Sequence, residues 1–317
     1  MGGVRRAAQA LAADAGFDEI TAGRLALAAT ELGTNLVRHA RQGALLVGRD
    51  HDGGIDLVSV DHGPGMDVTR CMMDGYSTSG TAGQGLGAVR RAADRFSIHS
   101  QAGRGSIIAS SFRPPSLARR DSAFEMAALC VPAPGESISG DGWSLRQDTD
   151  KTLILMADGL GHGPEAARAS DAALSTLARS SAQSPAAVLE EAHEALRQTR
   201  GAAAAAVALP ADGSALTFAG AGNIAGRLVS GVGDRSLMCQ HGTLGLQIRK
   251  LQDVGYAWPE HALLVLHSDG IATRWSFEDA PGLLQCDPAV IAAWLLREHC
   301  RGRDDATVLV VRRRTRS

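Results

Sequence analysis

The stretch from Thr152 to Glu165 reads TLILMADGLGHGPE, and its reading decides the fold. Leu153 to Met156 are apolar without interruption, as in a strand buried on both faces, and the run ends in Asp158, three glycines and a histidine. A strand therefore delivers a carboxylate to a loop. Gly159, Gly161 and Gly163 let the backbone fold closely around whatever Asp158 holds, and Pro164 suits the first turn of an alanine-rich helix. Taken alone, an Asp-Gly pair marks only a turn. Three further acidic sites share the build, however. Asp141 in SGDGW comes after a Pro- and Gly-rich loop, Asp269 ends the strand ALLVLHSDG, and Asp304 with Asp305 opens DDATVLVV. Each sets a carboxylate at a strand terminus, and hard divalent cations such as Mg²⁺ and Mn²⁺ take oxygen ligands of this type. Four strand-end aspartates predict a two-metal site.

The order GD, ADGLGHG, AGN (Ala221, Gly222, Asn223), SDG and DDATV resembles the metal-dependent serine/threonine phosphatases of the PP2C class, within them the bacterial sporulation and stress-response branch. The resemblance covers residues 122–314 and implies a four-layer αββα sandwich. It also implies that Asp158 bridges two Mn²⁺ or Mg²⁺ ions, Gly159 offers its carbonyl, Asp269 and Asp304 hold the first metal, and Asp141 is a ligand of the second. The flank SISGD departs from the commoner GGD form. In such a site two cations generate hydroxide near neutral pH and clamp the phosphoryl oxygens during in-line attack. His162, in the glycine loop beside Asp158, is a candidate phosphate contact, and His241 reads as structural.

The first third of the chain carries a different pattern. Val4 to Ala15 has helical spacing and ends at Gly16, and Thr21 can cap a second helix running to about Ala40. Glu31 and Asn35 are four apart, so both project from one face of it, while Leu25, Leu27, Leu32 and Leu36 supply the apolar side. Strands Ala44 to Asp50 and Ile55 to Asp61 come next, joined across HDGG as a hairpin. The second ends in Asp61-His62-Gly63-Pro64-Gly65. Met66 to Gln84 is loop-like, and GYSTSGTAGQGLG opens a helix from about Gly85 to Arg95. Glycine-rich backbone at a helix N-terminus cradles phosphate, because unpaired N–H groups and the helix dipole face the anion.

TELGTNLVRHA, DHGPG, GTAGQGLG and AGRGS resemble, in order and spacing, the elements of the ATPase fold shared by gyrase B, histidine kinases and the small anti-sigma-factor kinases. The pattern is most similar to the stress-response serine kinases that act on STAS-domain proteins. The resemblance implies an α+β domain over residues 1–113, a two-layer α/β sandwich of the GHKL (Bergerat) type. By it Asn35 holds Mg²⁺, Asp61 accepts from the adenine amino group of ATP, Gly63 and Gly65 belong to the same nucleotide-binding element, and Gly83, Gly85 and Gly87 face the phosphates. Ser106, where threonine is commoner, lies near adenine, and Glu31 orients and activates the attacking hydroxyl. Such domains usually begin with a strand. Here the helical pattern starts almost at Met1, so either that edge strand is missing or the chain's true start lies upstream.

With 317 residues and 44% hydrophobic composition, the chain has material for two cores. A net charge of −2 with both signs scattered points to neither nucleic acid nor anionic membrane as partner, and the terminal RRRTRS reads as a solvated tail. Cys71, Cys130, Cys239, Cys286 and Cys300 are widely spaced, which indicates neither a zinc site nor a disulfide framework. No secretory segment is visible and the longest apolar run, Gly201 to Leu209, is too short to span a bilayer, so a cytoplasmic location is expected. Residues 114–121, which include Pro114 and Pro115, form a linker spanning at most about 28 Å when fully extended. Two functions compete. One is a bifunctional serine kinase and metal-dependent phosphatase acting on STAS-type regulators of a sigma-factor pathway. The other is a phosphatase whose first domain is an ATP-gated docking module without turnover.

Overall fold

A computed structural model describes residues 2–72, 85–117, 122–213 and 215–314 of the chain. They divide into two compact units, Met1–Asp121 with Phe277–Trp294, and Ser122–Ser276 with Leu295–Ser317. The motifs predict one continuous domain over 122–314. Phe277–Trp294 instead groups with the first unit, where the Asp287 N–H donates to Ser97 Oγ at 3.1 Å and Arg95 stands 3.9 Å from Asp287. Nothing in the composition of 277–294 marks it off.

The first unit opens with helices α1 (Gly2–Asp14) and α2 (Glu19–His39), then strands β1 (Ala44–Arg49) and β2 (Ile55–Val60). Helices α3 (Val68–Cys71) and α4 (Leu86–Ala92) and strands β3 (Arg95–Gln101) and β4 (Gly105–Phe112) complete it. The cap of α2 is Asp18, whose side chain accepts from the Thr21 N–H at 2.7 Å; Thr21, expected as the cap, is buried inside the helix. An ionised Asp also meets the positive end of the helix dipole, which favours it over threonine. The short α3 lies in a stretch expected to be loop, and its signal is Asp67, which caps it by accepting from the Arg70 N–H. The strands form one antiparallel sheet in the order β1-β2-β4-β3, and among the described residues no strand precedes α1. Leu25, Leu32, Ile55, Leu57, Val89, Ile108 and Phe112 make the core between the helices and one face of this sheet.

The second unit begins with β5 (Phe124–Val131), β6 (Asp141–Gln147) and β7 (Lys151–Gly159), then α5 (Pro164–Arg179), α6 (Pro185–Ala195) and β8 (Ala202–Pro210). Strands β9 (Ala215–Ala221), β10 (Ala225–Val229), β11 (Asp234–Leu237), β12 (Gly242–Thr243), β13 (Gln247–Ile248), β14 (Val254–Ala257) and β15 (Leu263–His267) precede α7 (Pro288–His299) and β16 (Ala306–Arg313). Two five-stranded sheets result, β14-β9-β8-β7-β6 and β11-β10-β15-β16-β5. Strand β7 alternates, as its apolar run requires. Ile154 and Met156 face the core between the sheets, while Leu153, Leu155 and Ala157 face α5 and α6. Strand β8 does the same with alanines. Ala202, Ala204, Ala206 and Ala208 meet Ala169, Ala173, Ala186 and Ala192, so small side chains on both surfaces let helix and sheet pack closely despite the poor strand propensity of alanine. The far face of the second sheet, with Leu263, Val265, Val308 and Val310, is buried as well. Layers of helix and two sheets thus bury both faces of β7, which lies between β8 and the edge strand β6, with its C-terminal end opening to the loop.

Candidate active site

Strand pairing brings the first two carboxylates together. In the β6–β7 ladder Asp141 lies opposite Asp158, so both side chains project from one face of adjacent strands, where like charges are destabilising. The Asp158 carboxyl is pushed up to about 9, first by desolvation and then by the charges of Asp141, Asp269 and Asp304. Asp141 is raised to about 6, again mainly by burial. Desolvation and then Asp304 raise Asp269, whose Oδ2 accepts from the Asn223 side-chain amide at 2.7 Å. The four aspartates singled out in the sequence therefore converge on one end of the two sheets.

Residues without a role in the sequence motifs hold this cluster. Ser268 is buried; its hydroxyl donates to Asp141 Oδ2 at 2.6 Å and accepts from the Thr307 N–H at 3.0 Å. Asp305 is buried too. Its Oδ1 accepts from the Ala133 N–H and its Oδ2 from the Gly140 N–H, each at 2.8 Å, so one carboxylate ties both ends of the loop that leads into Asp141. The Gly140 carbonyl in turn accepts from the Gly159 N–H at 3.0 Å, and Gly159 has no room for a side chain, since a Cβ there would sit 2.1 Å from the Ala166 carbonyl oxygen. In the loop after Asp158, His162 Nδ1 meets Glu136 Oε1 at 2.7 Å.

A divalent cation suits this donor set. Asp141 Oδ1 has no solvent contact and no hydrogen-bond partner while Oδ2 is engaged by Ser268, which leaves one oxygen for a cation. Four carboxylates in one desolvated place are stable as anions only with positive charge among them. Among the described residues no three acidic, His or Cys groups are gathered tightly enough to enclose a metal by themselves.

In the first unit, Glu31 and Asn35 are half-buried on α2, and burial holds the Glu31 carboxyl above its ordinary value. Asp61 lies just past β2. Its N–H donates to the Ser106 carbonyl at 3.0 Å, and its Oδ1 accepts from the Gly63 N–H at 2.5 Å. A Cβ on Gly63 would stand 2.9 Å from the His39 carbonyl oxygen, so this turn packs against the last turn of α2, one helical turn beyond Asn35. Gly65 has φ +74 and would place a Cβ 2.3 Å from the Gln101 carbonyl oxygen. Gly105, to which the motifs assign no role, is as tightly constrained, with φ +83 and a Cβ position 2.0 Å from the Asp61 carbonyl oxygen. Ser106 is buried with Oγ 2.9 Å from Ser100 Oγ, so its carbonyl and not its hydroxyl reaches Asp61. Gly85 is the N-cap of α4 and Gly87 lies in its first turn; Gly83 is outside the described residues.

Comparison with known proteins finds two families along the chain. The histidine kinase-like ATPase domain family matches residues 1–111, and the family of stage II sporulation protein E (SpoIIE) matches residues 148–314. Serine/threonine-protein kinase RsbT of Bacillus subtilis (strain 168) is 35% identical over 108 residues, 33% of this chain and 81% of that protein. A solved chain of the bacterial stressosome, described as a modular system adapted to control secondary messenger signalling, is 26% identical with a TM-score of 0.55, covering 60% of this chain and 99% of that one. RsbX in complex with magnesium shares the fold at 19% identity and a TM-score of 0.53, over 62% and 98% of the two chains. A kinase-like ATPase domain is thus fused to a PP2C-class phosphatase domain. No helix among the described residues is long and apolar enough to cross a membrane.

Proposed function

We propose, from the premise that this chain belongs to the SpoIIE family and carries a histidine kinase-like ATPase domain ahead of that match, that it is a two-way regulator of protein phosphorylation. Its second unit hydrolyses phosphoserine or phosphothreonine, and its first transfers phosphate from ATP to serine. The observation that carries the phosphatase half is the convergence of Asp141, Asp158, Asp269 and Asp304, with Asp158 raised to about 9 by burial and its neighbours. Asp158, the Gly159 carbonyl, Asp269, Asp304 and Asp141 would hold two Mn²⁺ or Mg²⁺ ions. When bound, the cations supply Lewis acidity that lowers the pKa of water and neutralises phosphoryl charge. The chain's own part is orientation: Ser268 fixes the Asp141 carboxylate, Asn223 fixes Asp269, and Asp305 fixes the approach to Asp141. Hydrolysis of p-nitrophenyl phosphate should require Mn²⁺ or Mg²⁺ and should disappear in Asp158→Ala; undiminished turnover in that variant rules the reading out.

For the first unit, the likeness to a serine/threonine kinase and the half-buried Glu31 one turn before Asn35 support phosphoryl transfer, with Mg²⁺ on Asn35, the adenine of ATP on Asp61, and Glu31 orienting the serine hydroxyl. Gly63, Gly65, Gly85 and Gly87 would line the nucleotide site. The target class is a STAS-domain protein of a sigma-factor partner-switching or stressosome-type system, which the likenesses to RsbT and to a stressosome chain support. Kinase and phosphatase acting at equal rates on one residue would only consume ATP, so different target sites or separate control are expected. A second reading, an ATP-gated docking module, is favoured by the exposed apolar residues Ile20, Leu27 and Val37 along α2. Transfer of labelled γ-phosphate to STAS proteins, in an Asp158→Ala background, separates the two. Glu31→Gln should bind ATP like the parent yet transfer roughly a hundredfold less if the domain is a kinase. Absence of transfer by the Glu31 protein, with ATP binding confirmed, favours docking.

A further inference from the structure

We propose that Arg200 forms a phosphoryl-binding subsite at the rim of the phosphatase centre, receiving the dianion of the phosphorylated side chain; the proposal rests on the phosphatase reading above. Its position is set by strand register. Pairing of β7 with β8 sets Asp158 opposite Ala203 and Gly159 opposite Ala202. It continues past the strands, since the Leu160 N–H donates to the Gly201 carbonyl at 3.0 Å, and this brings Arg200 opposite Gly161. The guanidinium lies over that glycine: a Cβ built on Gly161 would stand 3.4 Å from Arg200 Nη1. Gly161 has φ +82, so the loop turns there in a conformation that side chains disfavour, and its bare backbone leaves the guanidinium room beside the loop that leaves Asp158.

The charge of Arg200 is uncommitted. It is exposed, and among the described residues it makes no ion pair or hydrogen bond, whereas nearby surface arginines are neutralised, Arg168 by Glu165 and Arg197 by Glu194. His162, the basic side chain within the loop itself, is turned to Glu136. The carboxylates of Asp141, Asp158, Asp269 and Asp304 would be taken up by the cations, and Arg200 adds a side-chain positive charge beside the loop that leaves them. A planar guanidinium offers paired N–H donors that match two phosphoryl oxygens, a contact open to substrate and phosphate product alike. Such uniform binding acts on KM and leaves kcat nearly unchanged.

The test uses the full-length protein with saturating Mn²⁺, a phosphoserine peptide as substrate and inorganic phosphate as inhibitor. Arg200→Ala should raise KM and the phosphate inhibition constant together by roughly tenfold or more, the effect of losing a charge-assisted pair, with kcat altered by less than roughly threefold. Arg200→Lys, which keeps charge and loses the fork, should fall between. KM and inhibition constant both unchanged in Arg200→Ala would overturn the subsite while leaving the phosphatase reading intact. Titration calorimetry of inorganic phosphate into the Mn²⁺-loaded protein decides the matter without turnover. If the parent hydrolyses no phosphoester, the phosphatase reading falls, yet phosphate binding that is weakened in Arg200→Ala upholds the subsite, and binding that is absent or unaffected overturns it.

Discussion

Asp56 in β2 and Asp158 at the end of β7 are both desolvated aspartates, one in each unit, and their carboxyls stand at about 6 and about 9. Desolvation is the largest cause for both. The two differ in their secondary causes. Around Asp158 the next three influences are the charges of Asp141, Asp269 and Asp304, brought from three separate parts of the chain. Around Asp56 the next influence is a Ser111 hydrogen bond that lowers the value, ahead of a contribution from Asp50. A raised carboxyl alone marks burial, whereas convergence of like charges that the fold could have kept apart marks a place built for cations.

The largest effect should come from removing the centre of that convergence. Asp158→Asn is expected to lower phosphatase kcat/KM on the order of a thousandfold while raising the melting temperature of the metal-free protein, because folding without metal no longer has to protonate this carboxyl. A fall in metal-free stability would break the comparison. Asp305→Ala strips two buried N–H groups of their acceptor and should cost about 3 kcal/mol in denaturant unfolding, with weaker Mn²⁺ binding by calorimetry. Asp56 supplies the contrasting case. Its folded value lies above 3.8, so the folded state holds the proton more tightly than the unfolded chain, and the stability this gives below about pH 4 is lost as pH rises through about 6. Asp56→Asn should therefore be more stable than the parent at pH 7.5, by about 2 kcal/mol after allowance for partial exposure, with the gain fading toward pH 4. The smallest effect is expected at Ser268. Removing its hydroxyl in Ser268→Ala should raise the Mn²⁺ concentration needed for half-maximal activity, and the calorimetric Kd, about tenfold, with little change in kcat at saturating metal.

What the chain discloses in one dimension is uneven for a physical reason. Asp158, Asp141, Asp269 and Asp304 each sit at a strand end beside glycine or a second acid, a local pattern, and the two-sheet sandwich with its flanking helices arises from apolar runs of strand and helix length. Ser268 and Asp305 act at long range. The first meets a carboxylate 127 residues away and the second meets backbone 165 and 172 residues away, and no local spacing records such partners. Asp18 is not told apart from Thr21 because both residue types cap helices and the pattern alone does not fix the starting turn. Gly105 is legible as a glycine but not as one forced by contact, since its neighbour Asp61 lies across the sheet.

Asp304 and Asp305 are chemically the same residue put to opposite uses, one half-exposed among the site carboxylates and the other buried against the loop before Asp141. Which aspartate does which is decided by where β16 begins to pair, with Ala306 opposite Val131. Deleting one residue just ahead of Ala306 would put Asp304 in the anchor place and Arg303 among the site carboxylates, and inserting one would carry Asp305 away from the N–H groups that it holds. The Asp-Asp pair therefore works as a ruler for strand alignment, and indel tolerance at this point should be far lower than anywhere else along the lead-in from Arg301 to Arg303.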